Sequence, residues 1–105
     1  MRVGMVRVHG RSMRPTLHPG DRLVVSYDVI PAPGDLVVVR LPGGTVAVKR
    51  ALRREADGWW VERDNPAEGV DSWSVGSVRD HDVLAVVRRR VWPIWRSPRR
   101  GLVQD

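Results

Sequence analysis

A chain of 105 residues with net charge +6 is long enough for one domain with its own core and too short for two. Hydrophobic residues make up 42% and charged residues 29%, the balance of a globular protein, and the absence of cysteine excludes disulfides and thiolate metal sites. The positive charge is arginine at every position but one, and the single lysine, Lys49, carries an amine that burial can neutralise where a guanidinium would stay charged.

Valine-rich, often alternating segments separated by Gly, Pro and Asp predict short strands joined by tight turns. The first runs from Val3 to Val8. Gly10 then lets the backbone bend, and Ser12 falls at the mouth of the sheet in a segment, Ser12 to His18, with room for one short helical turn. Pro15 fixes the chain that follows. Further strands are predicted over Arg22 to Tyr27, Leu36 to Leu41, Thr45 to Leu52, Gly58 to Arg63 and Val83 to Val91. The Gly43-Gly44 turn makes a hairpin of the third and fourth. The expected fold class is all-β, a small folded-over or barrel-like antiparallel sheet, with residues 1–91 as the domain and Trp92 to Asp105 as a tail rich in Trp, Pro and Arg.

Alternation along the fourth strand puts Thr45, Ala47, Lys49 and Ala51 on one face and Val46, Val48, Arg50 and Leu52 on the other. Lys49 thus shares its face with small residues that leave space for a second group. An apolar enclosure there would lower its pKa, and a neutral lysine beside a serine hydroxyl can replace histidine as the base in acyl transfer. His9, His18 and His81 have no acid evidently placed to orient them. Ser12 and Lys49 are thus a candidate catalytic pair, which these residues alone leave beside the reading of Ser12 as an ordinary turn serine; no metal and no cofactor are expected.

The segment Gly10-x-Ser12-Met13-x-Pro15-Thr16-Leu17 with Gly20-Asp21 resembles the nucleophile box of the type I signal peptidases. Val48-Lys49-Arg50 is similar to their lysine box, and Asp64-Asn65 with Asp71-Ser72 and Gly76-x-Val78 to their third box. These matches follow family order across most of residues 8–78. The resemblance implies a Ser/Lys serine endopeptidase that removes an N-terminal leader or pro-segment. It extends, through Gly58-Trp59-Trp60-Val61 and Asp64-Asn65-Pro66, to the soluble maturation proteases of nickel superoxide dismutase. The implied partner is then a protein or peptide substrate with an N-terminal extension, such as the dismutase precursor. By the same resemblance Arg50, Asp64, Asn65, Asp71 and Ser72 support the pair, and Met13 and Pro15 meet the substrate. The Ser12 main-chain N–H supplies the oxyanion hole. Gly10 holds the place where some relatives add a hydroxyl, which leaves the second donor open.

Three positions depart from the family pattern. Arg63 replaces the glycine before Asp-Asn, Gly69 stands where a serine orients the lysine, and Trp73 stands where an arginine follows Asp-Ser. Asp71 is accordingly expected to pair with Arg50, and Lys49 to be held by Ser72, by backbone or by water.

Two rival readings remain. Self-cleaving repressors of the SOS response share the Gly-x-Ser-Met and Val-Lys-Arg arrangement, but bring a DNA-binding domain and a cleavage site for which there is no room before Ser12. A non-catalytic nucleic-acid- or membrane-binding module would rest on Arg88 to Arg96, where Trp and Arg interleave. Specific nucleic-acid binding is not expected, while weak peripheral membrane contact stays open and is compatible with protease activity. Neither a bilayer-length apolar run nor the apolar segment of a secretory leader is evident, so the expected location is cytoplasmic.

Overall fold

The computed structural model describes residues 2–92. Seven strands form one antiparallel sheet: β1 (Val3–Arg7), β2 (Arg22–Tyr27), β3 (Leu36–Arg40), β4 (Val46–Arg54), β5 (Gly58–Glu62), β6 (Val78–Arg79) and β7 (Val83–Trp92). Their spatial order is β1-β2-β7-β3-β4-β5-β6. The expected hairpin is β3–β4, in register from Leu36 opposite Arg50 to Arg40 opposite Val46. Its turn closes through Leu41 N–H to Thr45 O and Gly44 N–H to Leu41 O, with both glycines at positive φ. Register shifts interrupt the β2–β7, β3–β7 and β4–β5 ladders. Bulges of this kind sharpen the right-handed twist, and the sheet curls into a half-barrel of the signal-peptidase catalytic-core type.

The curl gives the sheet two cores. On one face Val37, Val39, Ala51, Trp59, Val61 and Val86 are buried together. On the other, Val25, Val38 and Ala85 pack with Leu23 and with Val8, Met13 and Leu17 from the segment after β1. β3 supplies both, with Val37 and Val39 on one side and Val38 on the other, as a continuous valine run in a central strand should. Burying a valine or leucine stabilises by about 1.5–3 kcal/mol, so Met13 and Leu17 pin the Ser12 turn to the sheet.

Three short elements have no counterpart in the sequence reading, one of them a 3₁₀ turn over Asp80–Asp82. β6 is two residues long and α1 (Ser72–Val75) four, both shorter than the window in which periodicity is visible. Of the expected tail only Trp92 is described, as the last residue of β7 opposite Arg22. The rest of that expectation lies outside the described residues.

Candidate active site

Ser12 lies in a loop pinched shut at its base. Val8 N–H donates to Asp21 O and Gly20 N–H to Val8 O, while the carboxylate of buried Asp21 accepts the His18 N–H. This is the structural work of Gly20-Asp21 in the nucleophile segment. Within the loop Leu17 N–H donates to Met13 O, the single helical turn expected there. Gly10 has φ +77°, a left-handed conformation at the bend before Ser12.

Lys49 reaches the serine from β4. Its amine donates to Ser12 Oγ at 2.9 Å, and its residue is only 2% exposed. Burial pushes the amine below the ordinary lysine range, opposed by the field of Asp71 and aided by that of Arg63. Once the amine is neutral, its lone pair can accept the Ser12 O–H across the same distance. Gly69 closes the third side. At φ +109° it lies so near that a Cβ would stand 2.5 Å from Ser12 Cβ and 3.4 Å from Lys49 Nζ.

The third-box residues hold this pair from outside. Asn65 N–H donates to Ser12 O at 2.8 Å, and its side-chain amide donates to Arg11 O at 2.9 Å. Asp64 accepts from Thr16 Oγ1 at 2.5 Å and from Arg50 Nε and Nη2 at 3.0 and 2.8 Å, tying the Ser12 loop to β4. The arginine contact holds the Asp64 carboxyl below the usual carboxylate range. Thr16 had no role assigned from sequence, although it sits inside the motif.

The expected partnership of Asp71 with Arg50 is wrong. Asp71 pairs with Arg63, whose Nη1 is 3.1 Å from Oδ2 and whose main-chain N–H donates to the same oxygen at 3.0 Å. Arg50 is on the opposite face of β4 and is committed to Asp64, as strand alternation requires. Nor does Ser72 hold Lys49, because its Oγ accepts the Val61 N–H at 2.8 Å. Trp73 turns outward: its Nε1 donates to Glu62 at 2.9 Å and its ring meets Trp60 edge-on at 5.2 Å. Arg63, which holds Asp71, and Gly69, which crowds Ser12, were not among the expected site residues. Their signal was available as departures from the pattern, but their contacts were not.

Ser12 and Ala47 separate two hollows. One, of about 70 Å³, lies between Val6–His9 and Val46–Val48 and is floored by Met13 and Val38. The other, of about 310 Å³, is lined by Gly10, Arg11, Leu41, Lys49, Gly69 and Val70 among others. Pro15 is exposed and lines neither. Among the described residues β1 pairs only with β2, and the β4–β5 ladder begins at Arg50, so Val46 to Lys49 carry an outer edge that β5 does not cover. Among the described residues the Ser12 N–H is not engaged by a protein acceptor.

The Peptidase S24-like family model matches residues 2–88, a span that contains the Ser12 loop, Lys49 and the third-box residues. The chain belongs to the Peptidase S24-like family. This family lies in the superfamily that joins self-cleaving SOS repressors with signal peptidases. No curated protein matches the sequence of this S24-like member. Among its described residues no helix is long and apolar enough to cross a membrane.

Proposed function

We propose that this S24-like chain is a serine endopeptidase in which Ser12 is the nucleophile and Lys49 the general base. The observation that carries the reading is the 2.9 Å contact between Ser12 Oγ and a lysine amine that is 2% exposed. The substrate lies extended along the free edge of Val46 to Lys49, adding a strand there. Lys49 takes the Ser12 proton as Oγ attacks the scissile carbonyl. The Ser12 N–H meets the oxyanion, with Gly10 beside it and the second donor unassigned. Collapse breaks the C–N bond, and the ammonium of Lys49 gives its proton to the leaving amine. Lys49 next deprotonates water, which hydrolyses the acyl-serine ester and frees Oγ.

Arg50, Asp64, Asn65 and Asp71 hold the site in shape, and Ser72 anchors α1 to β5. Met13 contributes to the floor of the smaller hollow, whose size favours a small substrate side chain. From the signal-peptidase resemblance, the substrate is a protein with an N-terminal leader or pro-segment, and the precursor of nickel superoxide dismutase is the one to try first.

The test uses that precursor with purified enzyme. Ser12→Ala should lower cleavage by several orders of magnitude while leaving the fold intact. Lys49→Arg should be as inactive as Lys49→Ala, because a guanidinium cannot become neutral at any workable pH. An active arginine variant would refute the general-base role. The family match also keeps the self-cleaving reading alive. Under it, wild-type chain incubated alone would cut itself, and Ser12→Ala would not.

A further inference from the structure

Asp71 presents a conflict. Its Oδ1 accepts the Trp73 N–H at 3.1 Å and so caps α1, and its Oδ2 accepts the Arg63 N–H, so the fold needs its carboxylate. Yet Asp71 and Lys49 are each 2% exposed, and a buried anion near a buried amine favours the ammonium form. An ammonium cannot take a proton from Ser12.

Arg63, just beyond the end of β5, meets this carboxylate with a guanidinium held on three sides. Nη1 is 3.1 Å from Asp71 Oδ2, Nε donates to Asn65 O at 3.0 Å and Nη2 donates to Pro66 O at 3.1 Å. The cation is therefore locked to the carboxylate by the same loop that clamps Ser12.

We propose that Arg63 is a positioning residue that keeps Lys49 a base, by cancelling the buried charge of Asp71 that would otherwise hold the amine protonated. The inference rests on the general-base reading of Lys49, but it is tested without any cleavage. The fields acting on Lys49 support it, since Asp71 raises and Arg63 lowers its proton affinity. Among the described residues, the other charged side chains lining the hollow at the amine are Arg11 and Glu68, which are exposed and oppose one another in sign. Arg50 and Asp64, beyond β4, are paired together.

Because Lys49 is the sole lysine, a sample labelled with ¹³C-lysine gives one ε-methylene signal whose pH titration reads this amine alone. The wild-type midpoint should lie below the ordinary 10.5. Arg63→Gln should move it up by about one pH unit, Asp71→Asn should move it down, and the double variant should return near wild type. Arg63→Lys should stay near wild type. An unmoved or lowered midpoint in folded Arg63→Gln overturns the proposal, as does Arg63→Lys behaving like Arg63→Gln. If Arg63→Gln does not fold, Asp71→Asn decides: a midpoint that does not fall is fatal to it. Loss of cleavage in Lys49→Arg tests the general-base reading separately, so either idea can fail while the other stands.

Discussion

Gly69 is the residue whose chemistry is easiest to misread. As a departure from the signal-peptidase pattern it looks like a lost hydroxyl, but a Cβ placed there would meet both Ser12 and Lys49. Restoring a side chain would not restore a hydrogen bond. At φ +109° any Cβ is strained, by about 1–3 kcal/mol, and it would also drive into Ser12 Cβ. Gly69→Ala should therefore shift the Ser12 hydroxyl from Lys49 and lower kcat about 100-fold, the usual consequence of an ångström of misplacement. Steady-state cleavage, with thermal unfolding as control, measures it; an alanine variant with wild-type kcat would show that the close approach does not position Ser12.

The elements that matter most are the Ser12 loop and the loop after β5, which are joined by hydrogen bonds rather than by sheet pairing. Asn65 clamps Ser12 and Arg11 through their carbonyls, and Asp64 bridges Thr16 to Arg50. Asp64→Asn removes the charge that Arg50 needs and halves the acceptors offered to Thr16. Charge-assisted bonds contribute about 1.5–3 kcal/mol each, so this variant should lose about 1–3 kcal/mol of stability and at least tenfold in cleavage. Asp64 also carries a pH signature. Its folded pKa is depressed, so its stabilisation is present above the ordinary carboxylate pKa and is lost as pH falls through the lowered value. Denaturant midpoints should fall more steeply below about pH 4 in wild type than in Asp64→Asn. Equal slopes would mean that the Arg50 contact contributes nothing to acid stability.

For the molecule as a whole, the buried lysine sets a cost in stability. The Lys49 pKa is lowered on folding, so between that value and the ordinary 10.5 the unfolded chain binds the extra proton. Stability from this group accordingly rises with pH through that window, and below it the fold carries a buried ammonium. Lys49→Met, which fills the same space without a charge, should be more stable than wild type at neutral pH by about 1 kcal/mol or more, and inactive. The gap should close as pH rises past the lowered pKa. A methionine variant less stable than wild type at pH 7 would show that Lys49 is held as a favourable ion. The cleavage rate should rise through the same pKa and then level off.

The sequence by itself determined six of the seven strands, the β3–β4 hairpin and the placing of Lys49 and Arg50 on opposite faces of β4, because alternation and turn chemistry act over a few residues and leave a local trace. The pairing of Ser12 with Lys49 was legible only through motif resemblance, since nothing local links residues 37 apart. Tertiary structure decided the rest. Asp71 takes Arg63 and not Arg50 because strand alternation sends Arg50 to the other side of β4, where Asp64 awaits it. Thr16 acquires a partner 48 residues away, and Gly69 acquires its importance from the atoms it nearly touches. Contacts of that kind depend on where the curled sheet brings its loops, and no window along the chain contains both partners.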